Sequence, residues 1–385
     1  MKQYHQEKQK IQAGKSKARM ANLELLRCIA MMMVVVLHYL GKGDLLVDLT
    51  EESMGSIGMT AWLLESFCIV AVNVYMLISG YFLCVSSFKI SRLIRLYIQV
   101  WIYSVGIGIL AYVLGILPSE EFNIHYLLSL VFPVSMGHYW FMTAYVFLYL
   151  LLPFVCKAID KMTKQQMQIS LMALLLFFCV LKSILPVRLE EDGMGYDCLW
   201  YLCVFLSAAY LRKFPPAFLA KKAKCLMLYV VSCLAIWGML MGLRQVYLQT
   251  GSLERILKIS LEYNHILPFL TAIGLMGFFL NMEVKGGIAR FVNRIAPYTL
   301  GVYLLHENIG VRYAWQSWFG AGLVKDVGTL LFSTLLAVVV VFVAGIVVDW
   351  CYTLITTLLH LVLSKIKLYR IITGKIQKMD GAFIE

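Results

Sequence analysis

The 385 residues are 61% hydrophobic and 15% charged, with a mean hydropathy of +0.78, and a chain of that composition cannot shield its apolar surface from water as a globular domain does. Its formal net charge of +12 is spread over separate short loops, not gathered on one surface with interleaved aromatics, which excludes a nucleic-acid-binding reading. What remains is an all-α integral membrane protein.

Crossing a hydrocarbon core of roughly 30 Å takes an apolar run of about 17 to 25 residues. In chain order such runs are predicted at 23–41, 61–86, 96–117, 138–156, 167–185, 197–211, 225–243, 261–281, 298–315 and 327–362, about ten transmembrane helices in all. The last is long enough to tilt or break. The first follows a basic tail, yet it contains Glu24 and Arg27 and lacks a small-residue cleavage site, so it reads as a retained helix and not a signal peptide. The loop Gly41 to Thr60 is expected outside. The stretch 126–137, broken by Pro133, is too short to span and is expected to be interfacial or re-entrant.

No linker or soluble block approaches the roughly 50 residues of a second domain. The division is therefore a basic tail at 1–20, one membrane domain at 21–363 and a second basic tail at 364–385, the latter expected on anionic lipid. Lys and Arg accumulate in cytoplasmic loops. Lys2 to Arg19, Lys89 to Arg95, Lys157 to Lys164, Arg212 to Lys224, Lys285 to Arg294 and Lys365 to Lys378 share one side, whereas Asp44 to Glu52, Glu120, Glu121 and Glu190 to Asp197 share the other. Both termini are thus expected in the cytoplasm, and the protein in a multi-pass arrangement in the cell membrane. The ten cysteines fall mostly within apolar spans without metal-type spacing and read as packing residues; no metal is expected.

Ionisable groups inside spans are costly and usually face an interior cavity. In the first span Arg27 and His38 are eleven residues apart, which returns them to within about 20° of one helical face and sets them about 16 Å apart along the axis. Glu24 can pair with Arg27, so an ion pair at the helix mouth competes with a direct role. Lys89, Arg92 and Arg95 recur at every third residue; they serve either topology or phosphate binding. Near the end of the ninth run, Tyr303 precedes His306 and Glu307 by one turn, as a structural pair or as part of a site. His138, Tyr139 and Trp140 open the fourth span, where aromatics commonly form an interfacial belt.

Together these segments resemble the acyltransferase-3 family of bacterial membrane O-acyltransferases. The resemblance rests on Asn22-Leu-Glu-Leu-Leu-Arg27 with His38, on Ser79-Gly80-Tyr81-Phe82 with Arg92 and Arg95, on Tyr139-Trp140-Phe141, and on Leu300-Gly301-Val-Tyr303-Leu-Leu-His306, in that order across residues 22 to 310. It implies transfer of an acyl group, usually acetyl, from cytoplasmic acyl-CoA (acetyl-CoA) to a hydroxyl of a cell-surface glycan or related acceptor. Some relatives carry an extracytoplasmic hydrolase-like domain, and none is seen here, so the membrane domain is expected to perform both steps or to use a partner. Membrane domains fused to a serine racemase in some vancomycin-resistance systems are also similar.

On that reading Arg27, Lys89, Arg92 and Arg95 hold the CoA phosphates. His38 acts as general base or accepts the acyl group itself. His306 and Glu307 orient the acceptor or tune His38, and Tyr139, Trp140 and Tyr303 contact the acceptor. The competing expectation is a transporter or permease, which mid-membrane polar groups would equally suit, although no internal repeat supports it.

Overall fold

The computed structural model describes residues 20–185 and 192–382. The tail from Lys2 to Arg19, and Arg188, Glu190 and Glu191 of the expected outer loop, lie outside the described residues. Among the described residues every regular element is helical.

Helix α1 (Ala21–Lys42) is followed by α2 (Gly55–Cys68) and α3 (Ala71–Leu83), one crossing interrupted at Ile69 and Val70, and then by α4 (Ile90–Val113). The short α5 (Ile124–Val131) ends before Pro133 and leads into α6 (Trp140–Lys161), α7 (Lys164–Leu175) and α8 (Leu181–Ile184), the last two joined by a π-helical turn. After these come α9 (Cys198–Lys213), α10 (Lys222–Thr250), α11 (Ile266–Leu280), α12 (Gly286–Ile295), α13 (Thr299–His306) and α14 (Trp315–Trp318). The long α15 (Val327–Leu363) and α16 (Lys367–Gly381) complete the order.

Among the described residues eight helical stretches are long and apolar enough to cross a membrane, which makes this an all-α membrane protein. The expected runs at 197–211 and 298–315 are the two that fall short. Helix α9 has 16 residues, a rise of about 24 Å. It starts where the Asp197 carboxylate accepts from Trp200 N at 2.9 Å. It ends at buried Lys213, whose ammonium donates to the Ile159 and Met162 carbonyls at the C-terminal end of α6. Helix α13 stops at His306 because side chains beyond it take the backbone donors that would continue the helix: Asn308 Oδ1 accepts from Gly310 N at 2.9 Å, and His138 Nε2 accepts from Ile309 N at 3.0 Å. Helix α15 does not break. Its 37 residues start at a capping box between Asp326 and Thr329 and rise about 55 Å.

Helix α1 lies between two apolar clusters. Leu23, Leu26, Ala30 and Leu37 pack with α3, α6, α9 and α11, while Met31, Val34, Val35, Tyr39 and Leu40 pack with α4, α6, α13 and α15. The stretch α2–α3 is 78% buried and α1 61%, against only 17% for the α7–α8 stretch, so α1 and α3 are central and α7 is peripheral. Two of the motif glycines serve this packing. A Cβ at Gly80 would meet Ala208 Cβ at 2.8 Å, bringing α3 onto α9, and one at Gly301 would meet Asp349 Cβ at 2.3 Å, bringing α13 onto α15.

Candidate active site

A cavity of about 330 Å³ opens between α1, α3, α4, α6 and the segment 296–303. Arg27 and His38 both line it, as their spacing on one helical face predicts, and Arg92 of α4, Ser79 of α3, and Trp140 and Tyr303 join them on its wall. Between the two arginines and the imidazole the lining is apolar or aromatic, with Met31, Val34, Leu96, Phe141 and Tyr145. The cavity is thus cationic toward one end and carries a titratable nitrogen toward the other.

At the first end Arg27 Nη1 lies 2.6 Å from Glu24 Oε2, the ion pair expected of an i,i+3 spacing. The pair does not withdraw the arginine from the cavity wall. Lys89 stands just ahead of α4, where its backbone N–H and carbonyl both meet the Tyr149 hydroxyl. Lys89 and Arg95 do not line the cavity, whereas Arg92 does.

At the other end the hydrogen bonds determine which nitrogen carries a proton. His306 Nδ1 lies 2.5 Å from the Val302 carbonyl one turn back, so it is the donor and Nε2 of the same ring bears the lone pair. That Nε2 is 2.9 Å from His38 Nδ1, which must therefore carry the proton. Glu307 Oε2, 3.1 Å from the same nitrogen, is a second acceptor for it. The His38 ring is thereby held as the Nδ1–H tautomer, leaving the Nε2 lone pair for the cavity.

Glu307 is itself fixed by two cations: the Lys42 ammonium pairs with Oε2, and Arg312 Nε lies 3.7 Å from Oε1. Arg312 also donates to the His138 carbonyl at 2.6 Å, and Gln316 Nε2 donates to the His38 carbonyl at 3.2 Å. His38, His306 and Glu307 bring their ligand atoms within 4.8 Å of one another, a spacing that a metal ion could bridge. A divalent cation there would face the two positive side chains already on the carboxylate, so the set is better matched to handling a proton.

The sequence reading places Tyr139 beside Trp140 on the acceptor surface. The structure buries Tyr139 completely, its hydroxyl donating to the Leu304 carbonyl at 2.9 Å and accepting from Asn308 Nδ2 at 3.1 Å. It braces the end of α13. Trp140 is on the wall, parallel to Tyr263 at 5.9 Å and tilted against Tyr196 at 4.4 Å. Lys42 and Arg312 are not among the candidate site residues of the sequence reading. Lys42 follows His38 by four residues, a one-turn spacing that could have exposed it. Arg312 comes after the helix ends, where no periodicity reports position.

A family model described as an acyltransferase domain matches residues 20–354. No curated protein and no solved structure matches the chain.

Proposed function

The chain belongs to the acyltransferase-3 family, as the match over residues 20–354 establishes, and from that premise we propose that this membrane acyltransferase moves an acetyl group from cytoplasmic acyl-CoA to a hydroxyl of an extracytoplasmic glycan or related envelope acceptor in the cell membrane. The observation that carries this reading is the single cavity with Arg27 and Arg92 toward one end and His38 toward the other. Phosphates of the donor pair with the arginines, Lys89 and Arg95 adding attraction at the mouth through charge-assisted hydrogen bonds. The pantetheine arm then follows the apolar lining, and the roughly 16 Å of helix rise between Arg27 and His38 suits its length.

With its Nδ1 proton engaged by His306 and Glu307, His38 presents Nε2 to the acceptor hydroxyl and takes its proton as the oxygen attacks the thioester carbon. A C–O bond forms, the C–S bond breaks, and the proton passes to the departing CoA thiolate. The imidazolium formed on the way is stabilised by the Glu307 carboxylate, which Lys42 and Arg312 hold in place. The same nitrogen could carry the acetyl group between donor and acceptor in two steps. No metal is required by either route.

Purified protein in liposomes, supplied with radiolabelled acetyl-CoA inside and a hydroxyl acceptor outside, tests the reading. Thiol release with label passed to the acceptor supports it. A protein that neither binds acetyl-CoA nor releases thiol from it overturns it in favour of transport.

A further inference from the structure

Lys182, at the end of the α7–α8 stretch, is 5% exposed. Its Nζ lies 2.5 Å from Asp192 Oδ2 and 2.5 Å from Glu262 Oε2, and it donates to Asn264 Oδ1 at 2.7 Å. Asn264 Nδ2 in turn donates to Asp192 Oδ1 at 2.7 Å. An ammonium and two carboxylates removed from water cost more than apolar residues of the same size would in that place, so fixing these helix ends does not by itself explain the cluster.

What the cluster surrounds supplies the explanation. Tyr263 sits between Glu262 and Asn264; its N–H donates to the Met194 carbonyl at 3.1 Å and its own carbonyl accepts from Asn73 Nδ2 at 2.8 Å. Its ring lines the cavity, parallel to Trp140, and Tyr196 leans on both rings at 4.4 and 4.8 Å. Asp192 Oδ1 also accepts from Met194 N at 2.8 Å, and Met194 holds a φ of +56°, a conformation that side-chain-bearing residues rarely adopt without support. Burial alone would push the Asp192 carboxyl up, yet the Lys182 ammonium and the Asn264 amide hold it below the usual carboxylate range. The segment 192–196 is therefore clamped in an unfavourable turn that lays Tyr196 against the cavity wall.

We propose that Lys182 is a positioning residue for the acceptor: its cluster with Asp192, Glu262 and Asn264 holds Tyr263 in the cavity wall with Tyr196 packed against it and so governs how the hydroxyl acceptor is seated, without touching the donor. This rests on the acyl-transfer reading. The arginines and His38 are on other helices, so donor binding and attack by water do not depend on the clamp.

Replacing Lys182 alone would strand two buried carboxylates, so the working variant is the neutral triple Lys182→Met, Asp192→Asn, Glu262→Gln, with Lys182→Arg as the conservative control. In liposomes loaded with acetyl-CoA, thiol release is measured with increasing methyl β-glucoside outside. The triple variant should keep basal thiol release and need about tenfold more glucoside for half-maximal stimulation, less than the roughly hundredfold that a misplacement of about 1 Å can cost, and Lys182→Arg should keep most of the parent's response. Unchanged stimulation, or loss of basal release with it in a folded protein, overturns the proposal. A second measurement does not need turnover: amide hydrogen exchange at 192–197 and at Tyr263 should quicken in the triple variant while α1 and α4 stay unchanged. Unaltered exchange at 192–197 also overturns it. If the parent releases no thiol the acyl-transfer reading fails, and the exchange comparison still decides whether Lys182 holds this wall.

Discussion

His38 and His306, 268 positions apart, meet through one hydrogen bond of 2.9 Å between Nδ1 and Nε2. Their rings are tilted by 52° with centroids 5.1 Å apart, so the contact is directional and not a stack. Because the Val302 carbonyl occupies the far nitrogen of His306, the pair has one ordering of protons, and it leaves a basic nitrogen on the residue that lines the cavity.

His38→Ala should abolish acyl transfer while expression, insertion and acetyl-CoA binding stay near the parent level, since the phosphate contacts proposed for the donor lie elsewhere on the wall. A lost base lowers the rate by about a hundred- to ten-thousand-fold. His38→Gln keeps a hydrogen-bonding group but cannot take a proton, and should be equally inactive. A Gln variant that turns over like the parent would show that the imidazole is a packing residue and would move the search to His306.

Glu307→Gln removes the carboxylate from Lys42, Arg312 and His38 together. The side chain is 4% exposed, and breaking a buried ion pair by removing one partner costs about 3 to 5 kcal/mol. Both the midpoint of thermal unfolding in detergent and turnover should therefore fall. The combination Glu307→Gln with Lys42→Met, which removes the stranded ammonium, should recover stability but not activity. Recovery of both would assign the carboxylate to folding alone.

Much of this arrangement was readable from sequence where helical periodicity extends. Arg27 and His38 reach one cavity because eleven residues make about three turns, and eight of the ten expected apolar runs are, among the described residues, helices long and apolar enough to cross a membrane. The end of the ninth run was not readable. The run expected at 298–315 promises more helix, but Asn308 and His138 take the donors that would continue it, and His138 comes from 171 residues away. Tyr139 misled for a different reason: an aromatic beside Trp140 looks like a neighbour on one surface, but Tyr139 precedes α6 in a non-helical conformation, φ −114° and ψ +85°, and its ring is buried. Asp349, buried between Gln99 and Tyr103 at 2.7 and 2.9 Å, went unremarked because a single acid in a long apolar helix has no local partner to reveal it.

The two arginines of α4 should separate. Arg92 lines the cavity and Arg95 does not, so Arg92→Ala should lose a charged phosphate contact of about 1.5 to 3 kcal/mol, roughly a ten- to hundredfold weaker acetyl-CoA Kd. Arg95→Ala should change affinity by less and mainly soften its dependence on ionic strength, since a charge outside the cavity acts by screened attraction. Titration calorimetry at two salt concentrations reads both. Equal losses would mean that the phosphates sit outside the cavity on the face of α4.

The orientation expected from the distribution of basic loops can be measured directly. In a background where the partly exposed Cys156, Cys198 and Cys351 are replaced by serine, a cysteine placed at Asp48 should react with a membrane-impermeant maleimide added to intact cells. One placed at Lys222 should react only after lysis. The reverse pattern would invert the protein and put the cationic end of the cavity on the wrong side for a cytoplasmic donor.

Gly301→Val asks whether the site depends on the close approach of α13 to α15. A Cβ at 301 would lie 2.3 Å from Asp349 Cβ and 2.8 Å from its Oδ1, and neither backbone can move freely, since Val302 meets Gly345 from the other side, where a Cβ at 345 would come within 2.4 Å of Val302 Cα. Overpacking of this kind costs about 1 to 3 kcal/mol or more. The larger effect should be on turnover, because α13 carries His306 at its C-terminal end and a shift of about 1 Å there would break the 2.9 Å bond that orders the His38 proton. Acetyl-CoA affinity should change less, as its proposed phosphate contacts come from α1 and α4. Turnover at the parent level, in a variant whose unfolding midpoint has dropped, would separate α13 packing from the chemistry and leave His306 without its positioning role.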